Sequence, residues 1–334
     1  MPELMLSVVI PVYCEETLIR ESLAAIHDTL QALDISCELI VIDDGSTDNT
    51  WEQVIKLQEV IPILRAQRFS RNFGKESAIL AGLSLAKGQA VIVMDSDLQH
   101  PPVLIPQMVA LWQASDADIV ETVRMRPAGE SVVRKLGARL FYTLMYALTD
   151  YDLSRMTDYK LMNRRVVDAW LALGEYNRFY RGLVAWLGFK RVEISFTVPA
   201  RPDGTTSSWS LRALTKFAMQ AIVSFSSRPL QVITFAGIGF FVFAVFMALR
   251  VGQQMLSGSA ISGFATVILL QLIIGSLMML GMGIIGVYIA TIYNEVKGRP
   301  HYIVRDAFDM QDDETSELST VPTASMSSSE DEAK

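Results

Sequence analysis

The chain has 334 residues, of which 51% are hydrophobic and 19% charged, enough for one or two folded domains. Its mean hydropathy of +0.30 is high for a wholly water-soluble protein, so we expect a membrane part. The net charge of -7 is concentrated in residues 306–334, which hold nine acids and one base and leave the rest of the chain close to neutral. We expect no nucleic-acid partner for such a chain.

The two ends of the chain and its cysteines indicate a compartment. Residues 306–334 are rich in Ser, Thr, Asp and Glu, with little apolar content, and are predicted to be a disordered acidic tail. Cys14 and Cys37 show neither a metal-ligand spacing nor a disulfide framework, which suits a reducing compartment. The N-terminal residues lack the basic and apolar regions of a signal peptide, so we expect the first half to stay in the cytoplasm.

Strand and helix patterns alternate through the first third of the chain. Apolar runs predict strands at residues 6–13, 37–44, 62–69 and 89–95. Helices are predicted at residues 15–33, from about Asn49 with Asp48 as the N-cap, and at residues 74–87. Strands that alternate with helices of this length indicate a parallel α/β sheet.

Two pairs of carboxylates follow predicted strands directly. Asp43 and Asp44 end the second strand, and Asp95 and Asp97 end the fourth. Ligands of parallel α/β sheets bind beyond the carboxyl ends of the strands, so we expect all four carboxylates at one rim. Carboxylate oxygens suit Mg²⁺ or Mn²⁺, which also bind substrate phosphates. For Asp95 and Asp97 alone, the alternative is a pair of turn residues, since Asp is common after strands.

Two amphipathic segments separate this region from the C-terminal part. In residues 131–148 apolar side chains recur at helical spacing with basic residues between them. This segment fits equally well a core-facing helix or a helix at a membrane surface. Residues 211–227 repeat the pattern and lead directly into a long apolar stretch, so we predict an interfacial membrane helix there.

Two uncharged stretches, residues 230–249 and 264–293, are long enough to be transmembrane helices. Residues 251–263 between them contain no Lys or Arg, whereas Arg228 precedes the first stretch and Lys297 and Arg299 follow the second. The distribution of positive charge therefore predicts that both flanks lie in the cytoplasm.

Four segments together resemble the inverting GT-A glycosyltransferases of family 2: SVVIPVYCEE at 7–16, DDGSTD at 43–48, RNFGK at 71–75 and DSDLQHPP at 95–102. More narrowly, the chain is similar to the polyprenyl-phosphate sugar transferases, which include dolichol-phosphate mannose synthase and bacterial undecaprenyl-phosphate glucosyltransferases. The order and spacing of the segments agree over about residues 5–305, including the two apolar stretches.

The resemblance implies a division of the chain into four parts. These are a cytoplasmic α/β domain of the GT-A (Rossmann-like) fold at 1–210, a juxtamembrane amphipathic helix at 211–227, two transmembrane helices within 229–294 and the acidic tail at 306–334. It further implies a multi-pass protein of the inner (plasma) membrane, with both termini in the cytoplasm.

On the donor side, the resemblance assigns nucleotide-sugar contacts and metal ligands. The nucleotide pocket would be lined by Pro11, Tyr13, Glu15 and Asp43, with Asp43 accepting a hydrogen bond from the uracil ring. Asp95 would face the ribose and the metal, and Asp97 and Gln99 would ligate Mg²⁺ or Mn²⁺. Arg201 matches a phosphate-binding arginine before a mobile loop.

On the acceptor side, Asp158 matches the position of the family's acceptor-side aspartate, which is called the catalytic base. A lipid monophosphate is already largely dianionic at neutral pH, so we expect Asp158 to orient the acceptor or to stabilise positive charge at the anomeric carbon. Arg124 and Arg126 are candidates for binding the acceptor phosphate, ahead of Arg178 and Arg181.

The predicted function is inverting transfer of glucose from UDP-glucose to undecaprenyl phosphate at the cytoplasmic membrane face. The expected partners are the nucleotide sugar, the polyprenyl phosphate, the lipid bilayer and further copies of the chain. Mannose, GlcNAc and a modified arabinose remain open as donor sugars. Two alternative functions also remain open: a processive polysaccharide synthase, and a non-catalytic membrane scaffold or flippase subunit.

Overall fold

The computed structural model describes residues 5–124, 156–196, 228–256 and 264–308. Within these ranges eight strands form one sheet: β1 (Leu6–Val12), β2 (Cys37–Asp43), β3 (Leu64–Phe69), β4 (Ala90–Val93), β5 (Ile119–Arg124), β6 (Met156–Asn163), β7 (Arg191–Phe196) and β8 (Val304–Phe308). The α-helices of the same ranges are α1 (Ile19–Gln31), α2 (Thr50–Gln58), α3 (Lys75–Leu85), α4 (Ile105–Ala114), α5 (Arg164–Leu171), α6 (Tyr180–Trp186), α7 (Arg228–Leu256) and α8 (Phe264–Val296).

The strand order across the sheet is β7-β5-β6-β4-β1-β2-β3-β8. The four strands β4, β1, β2 and β3 are parallel neighbours, which confirms the predicted α/β core. β6 runs antiparallel to β4, and β8 runs antiparallel to β3, so the complete sheet is mixed. Because β2 lies on one side of β1 and β4 on the other, the carboxyl ends of β1 and β4 flank a topological switch point.

Side chains of β1 alternate between two buried layers. Val8 and Ile10 pack with α1, α2 and α4 on one face of the sheet, and Val9 packs with α3, α5 and α6 on the other. A strand that is covered on both faces needs a continuous apolar run, which β1 has. Full burial of each side chain of this size contributes about 1.5–3 kcal/mol, so the two helix layers hold the strand ends firmly in place.

Several element boundaries differ from the predicted ones. The first helix begins at Ile19 rather than at residue 15, and β4 ends at Val93, so the carboxylates after it lie in a loop. Asp48 is not the N-cap of α2, because that position is taken by Asn49. The Asp48 carboxylate nevertheless accepts the backbone N–H of Thr50 over 3.1 Å, and therefore still stabilises the start of the helix.

The two predicted apolar stretches lie within α7 and α8. Among the described residues, the parts long and apolar enough to cross a membrane are Pro229–Met247 and Ile273–Val296. Most of their large apolar side chains are exposed in the isolated chain. The predicted amphipathic segments, residues 131–148 and 211–227, lie outside the described residues.

After α8 the chain returns to the edge of the sheet as β8. The Tyr302 ring stacks on Phe69, with 4.8 Å between ring centroids, and the Phe308 ring lies 5.8 Å from that of Trp51. Residues 306–308, which were predicted to start the acidic tail, thus belong to a paired strand. Residues 309–334 lie outside the described part of the chain.

Candidate active site

An open cavity of about 310 Å³ lies beyond the carboxyl ends of β1, β2 and β4, at the switch point. Its walls come from the three strand ends and from the start of α3. The lining residues are Pro11, Val12, Tyr13, Glu15, Asp44, Asn72, Gly74, Lys75, Ala78, Asp95, Ser96 and Asp97. The cavity therefore brings together five of the residues predicted to bind the nucleotide sugar or metal: Pro11, Tyr13, Glu15, Asp95 and Asp97. Their individual roles stay predictions.

The turn after β2 fixes the floor of the cavity. The Asp44 carboxylate accepts the backbone N–H groups of Phe73 and Gly74, over 2.6 and 2.9 Å. Gly45 adopts a φ of 71°, and a Cβ there would collide with the backbone of Arg71. Only glycine fits this close approach without strain. The consequence is that Asp44 and Gly45 together set the position at which α3 begins.

Asp43 lies outside the residues that line the cavity. It is completely buried, and its Oδ1 accepts hydrogen bonds from the backbone N–H and the hydroxyl of Ser46, over 2.8 and 2.5 Å. Burial raises the pKa of the Asp43 carboxyl, and the Ser46 bonds and Arg68 partly oppose that rise. In this structure Asp43 stabilises the turn through its hydrogen bonds with Ser46. Its contact with uracil stays a prediction.

The antiparallel pairing of β4 with β6 brings two distant carboxylates together. Val93 pairs with Lys160, and the same register continued by two residues puts Asp158 level with Asp95. The Lys75 ammonium bridges them: it contacts Asp95 Oδ1 and lies 2.7 Å from Asp158 Oδ2. The Lys75 side chain is 41% exposed and lines the cavity, so a ligand there can reach it.

Lys75 and Arg181 together control the charge of Asp158. Arg181 donates from Nε and Nη2 to the two Asp158 oxygens, over 2.6 and 2.8 Å. Burial alone would raise the pKa of the Asp158 carboxyl, but the two cations lower it well below its usual range. Asp158 is therefore ionised at neutral pH and is a weak proton acceptor.

The sequence predictions assign no role to Lys75 and place Arg181 behind Arg124 and Arg126 as a candidate ligand of the acceptor phosphate. A lysine in the first turn of a helix ordinarily points into solvent, and surface arginines are usually only solvated. One signal was available: Lys75 ends the RNFGK segment that carries part of the family resemblance. The pairing of Arg181 with Asp158 depends on the packing of α6 against the sheet, which no local pattern encodes.

The loop after β4 holds its carboxylates through local hydrogen bonds. The Nδ1 atom of buried His100 accepts the backbone N–H of Asp95 over 3.0 Å, and the His100 ring stacks on Tyr159. Asp97 Oδ1 accepts the backbone N–H of Gln99 over 3.1 Å. Gln99 is not among the residues that line the cavity. Its predicted role as a metal ligand stays a prediction.

The carboxylates of the rim fit a divalent cation that takes most of its ligands from elsewhere. Within the described ranges, no three His, Cys, Asp or Glu side chains form a metal-binding group. Mg²⁺ commonly takes one or two protein carboxylates and completes its shell with water and substrate phosphates. Asp95 and Asp97, which both line the cavity, are the two carboxylates that would hold such an ion, and this role stays a prediction.

The other predicted cations are placed only in part. Arg124 is the last residue of β5 and pairs in register with Phe196. Arg126 and Arg201 lie outside the described residues. Arg178 is buried and donates to the carbonyl oxygens of Trp170 and Leu173, so it serves the C-terminal end of α5.

Comparison with known proteins identifies the family. Residues 7–170 match the model of glycosyl transferase family 2. The chain is 36% identical over 311 residues to the uncharacterized glycosyltransferase YkcC of Bacillus subtilis, a match that covers 91% of this chain and 94% of that protein. The chain therefore belongs to glycosyltransferase family 2, and it is a glycosyltransferase.

A relative with a more specific name matches over a similar length. The chain is 33% identical over 306 residues to the SfII prophage-derived bactoprenol glucosyl transferase of Shigella flexneri, covering 90% of this chain and 97% of that protein. Among solved structures, the mannosyl-3-phosphoglycerate synthase from Rubrobacter xylanophilus resembles it with a TM-score of 0.47 at 18% identity, covering 68% of this chain and 74% of the other.

Proposed function

We propose that the protein transfers glucose from UDP-glucose to a polyprenyl phosphate, with undecaprenyl phosphate as the acceptor, at the cytoplasmic membrane face and with inversion at the anomeric carbon. The observation that carries the proposal is the ion chain Asp95–Lys75–Asp158–Arg181, which runs from the cavity wall to α6. Bactoprenol glucosyl transferases that match along about nine-tenths of the chain support the choice of sugar and acceptor.

The donor side of the proposal rests on the cavity at the switch point. Tyr13 is 46% exposed at its wall and offers a ring for a base to stack against. Asp95 and Asp97 would hold a Mg²⁺ or Mn²⁺ ion, which stabilises the charge of the departing diphosphate. Lys75, on the same wall, adds a fixed positive charge where that diphosphate would lie.

The acceptor side needs cations more than it needs a base. A phosphate monoester has its second pKa at about 6, so most of the acceptor is a dianion at neutral pH. One acceptor oxygen forms the bond to the anomeric carbon, and the bond from that carbon to the diphosphate oxygen breaks, with its electron pair leaving on UDP. In this proposal ionised Asp158 takes up no proton; it holds Lys75 and Arg181 beside the reacting groups.

The two apolar helices support a membrane-bound acceptor. α7 and α8 both contain segments long and apolar enough to cross a bilayer, and a polyprenyl chain dissolves in the same medium. The lipid tail then needs no enclosed site in the α/β domain. Only its phosphate has to reach the rim of the sheet.

The decisive assay incubates membranes containing the protein with labelled UDP-glucose, undecaprenyl phosphate and Mg²⁺ or Mn²⁺. The expected product is a single lipid-linked glucose. A long polymer would favour the processive synthase, and absence of both transfer and UDP binding would favour the scaffold. A panel of other nucleotide sugars tests the choice of glucose, which is overturned if another sugar is transferred faster.

A pair of carboxylate substitutions tests the metal site. Asp97→Asn removes one of the two cavity carboxylates, so we expect at least about a 100-fold loss of transfer, with the protein still in the membrane fraction. Asp116→Asn is the matched control, because its side chain is 98% exposed and is not among the residues that line the cavity. Transfer by Asp97→Asn at the control rate would contradict the metal-ligand assignment.

A further inference from the structure

The end of the second apolar helix is attached to the loop that precedes α6. Glu295, in the last turn of α8, accepts the backbone N–H groups of Tyr176 and Asn177 through its two carboxylate oxygens, over 2.8 and 3.1 Å. These residues are more than a hundred positions apart in the chain. A carboxylate that accepts two consecutive backbone N–H groups fixes both the position and the direction of that loop.

A second contact, a ring stack on Tyr176, holds the same loop. The chain turns at Gly298, with a φ of 58°, and His301 then stacks on Tyr176 with ring centroids 5.1 Å apart. Burial, then Arg178, lowers the pKa of His301, so the imidazole of this stack is neutral at pH 7. Tyr176 is thus held by two contacts. Its backbone N–H bonds to Glu295, which lies before the end of α8 in the sequence, and its ring stacks on His301, which lies after it.

The loop runs directly into residues of the active site. Arg178 is fixed by two carbonyl oxygens at the end of α5, and the Tyr180 backbone N–H donates to Glu76 over 2.8 Å. The next residue, Arg181, pairs with Asp158. Only five positions therefore separate Tyr176, which the apolar helix holds, from Arg181, which contacts Asp158.

We propose that Glu295 is a positioning residue for the acceptor: by holding Tyr176 and Asn177, it sets where Arg181 stands relative to the membrane surface from which a lipid phosphate approaches. The inference rests on the proposed function for the identity of the acceptor. The two hydrogen bonds that carry the inference go from Tyr176 and Asn177 to Glu295, and they reach the site through Arg181, so we expect the effect to fall first on the acceptor.

The kinetic test uses full-length protein in membranes and varies each substrate separately. We expect Glu295→Ala to raise the KM for polyprenyl phosphate about five- to tenfold, with the KM for UDP-glucose unchanged. Glu295→Gln keeps one acceptor oxygen and should fall between wild type and Glu295→Ala. Asp168→Ala is the control, since it removes an exposed carboxylate from neighbouring α5. Equal changes in both KM values would overturn the proposal.

A double substitution tests whether Glu295 acts through Arg181. If it does, adding Glu295→Ala to Arg181→Lys should change the KM for the acceptor by less than about twofold, because Arg181→Lys has already removed the guanidinium that Glu295 positions. Losses that multiply would show that the two residues act independently.

Hydrogen exchange tests the contact without any substrate. In the wild type the Tyr176 and Asn177 amides should exchange slowly, and in Glu295→Ala they should exchange faster while the β1 amides keep their protection. Unchanged exchange at both amides would overturn the contact. This measurement separates the two ideas, since it remains informative even if the wild type transfers no glucose and the proposed function fails.

Discussion

Lys75 occupies the position where three carboxylates of the site would otherwise repel one another. Its ammonium touches Asp95 and Asp158, and Asp97 stands on the same cavity wall. Burial would lower the pKa of Lys75, but Asp158 and Asp95 raise it above its ordinary value, so the charge is permanent at physiological pH. A fixed cation here offsets the charge of the neighbouring carboxylates and, in the proposed function, would add to the attraction for an anionic diphosphate.

Replacing Lys75 by methionine keeps all but the last atom of the side chain's length and removes the charge. We expect kcat for glucosyl transfer to fall about 100-fold, because Asp95 and Asp158 lose their shared partner and the diphosphate loses a cation. Steady-state kinetics in membranes measures this. Lys87→Met, an exposed lysine beyond the end of α3, is the control. Activity of Lys75→Met equal to that control would remove Lys75 from the mechanism.

The raised pKa of Glu76 predicts that the stability of the fold depends on pH. Burial, then the charge of Asp158, raises the pKa of Glu76 from 4.5 to about 7. A raised acid pKa means that the folded state prefers the protonated form, so the cost of ionising Glu76 is absent below pH 4.5 and complete above about pH 7. Glu76→Gln keeps an oxygen for the Tyr180 backbone N–H and removes the charge.

We expect Glu76→Gln and the wild type to have equal free energies of unfolding at about pH 5. At about pH 8 the free energy of unfolding of the variant should be higher by up to about 3 kcal/mol, and its Tm should be higher as well. Thermal unfolding of purified protein across this range measures the difference. A gap between variant and wild type that stays constant with pH would rule out titration of Glu76 as the cause.

At the scale of elements, the parallel strands were predictable and the antiparallel half of the sheet was not. β1, β2 and β4 are nearly continuous apolar runs, which only strands buried on both faces require. β5 and β6 contain charged residues that are buried as an ion pair: Lys160 and Glu121 lie 2.8 Å apart with 1% and 6% of their side chains exposed. Local patterns treat such residues as solvent-facing, and they become buried only because the two strands pair.

The site was predictable to the same extent. Residues that follow the parallel strands, such as Asp95 and Asp97, could be placed at one rim from strand order alone. Their partners could not: Lys75 depends on the turn that Asp44 holds, and Arg181 depends on where α6 packs. These contacts link elements far apart in the chain, and no spacing rule covers them.

β8 gives a prediction at the same scale. The half-buried Tyr302 ring stacks on Phe69, so Tyr302→Ala should cost about 2 kcal/mol of stability through lost aromatic packing at the edge of the sheet. Ile303→Ala, whose side chain is 53% exposed, is the neighbouring control. Thermal unfolding in detergent compares the two, and an equal loss of Tm would mean that the stack does not anchor β8.

At the scale of the molecule, the sheet constrains how the chain would cross a membrane in the proposed arrangement. β3 precedes both apolar helices, β8 follows them, and the two strands share backbone hydrogen bonds. Hydrogen-bonded strands lie on one side of a bilayer, so the chain between them crosses it an even number of times. Two crossings, by α7 and α8, satisfy this requirement.

Cys14 offers a direct test of the side. Its exposed thiol lies between Tyr13 and Glu15, which line the cavity. Cys37 is only partly exposed, and burial raises the pKa of its thiol to about 11, so it should react much more slowly. We expect a membrane-impermeant maleimide to label the protein in inside-out vesicles and not in intact cells. UDP-glucose with Mn²⁺ should slow the labelling.

Cys14→Ser is the control for this experiment and should abolish the signal, with Cys37→Ser leaving it unchanged. Labelling in intact cells would contradict the proposal that the cavity faces the cytoplasm. Labelling that UDP-glucose with Mn²⁺ leaves unchanged would separate Cys14 from the nucleotide site.

The position of β8 also dictates an order of synthesis. The ribosome makes the strands of the parallel core first, then both apolar helices, and only afterwards the strand that covers the edge of β3. Domains fold from the N-terminus as they are made, so the edge of β3 lacks β8, and Tyr176 lacks Glu295 and His301, until the residues from the end of α8 onward have been made. Completion of the fold therefore waits for the last described strand: a chain that stops before β8 leaves the edge of β3 uncovered by that strand, and its catalytic domain is unfinished.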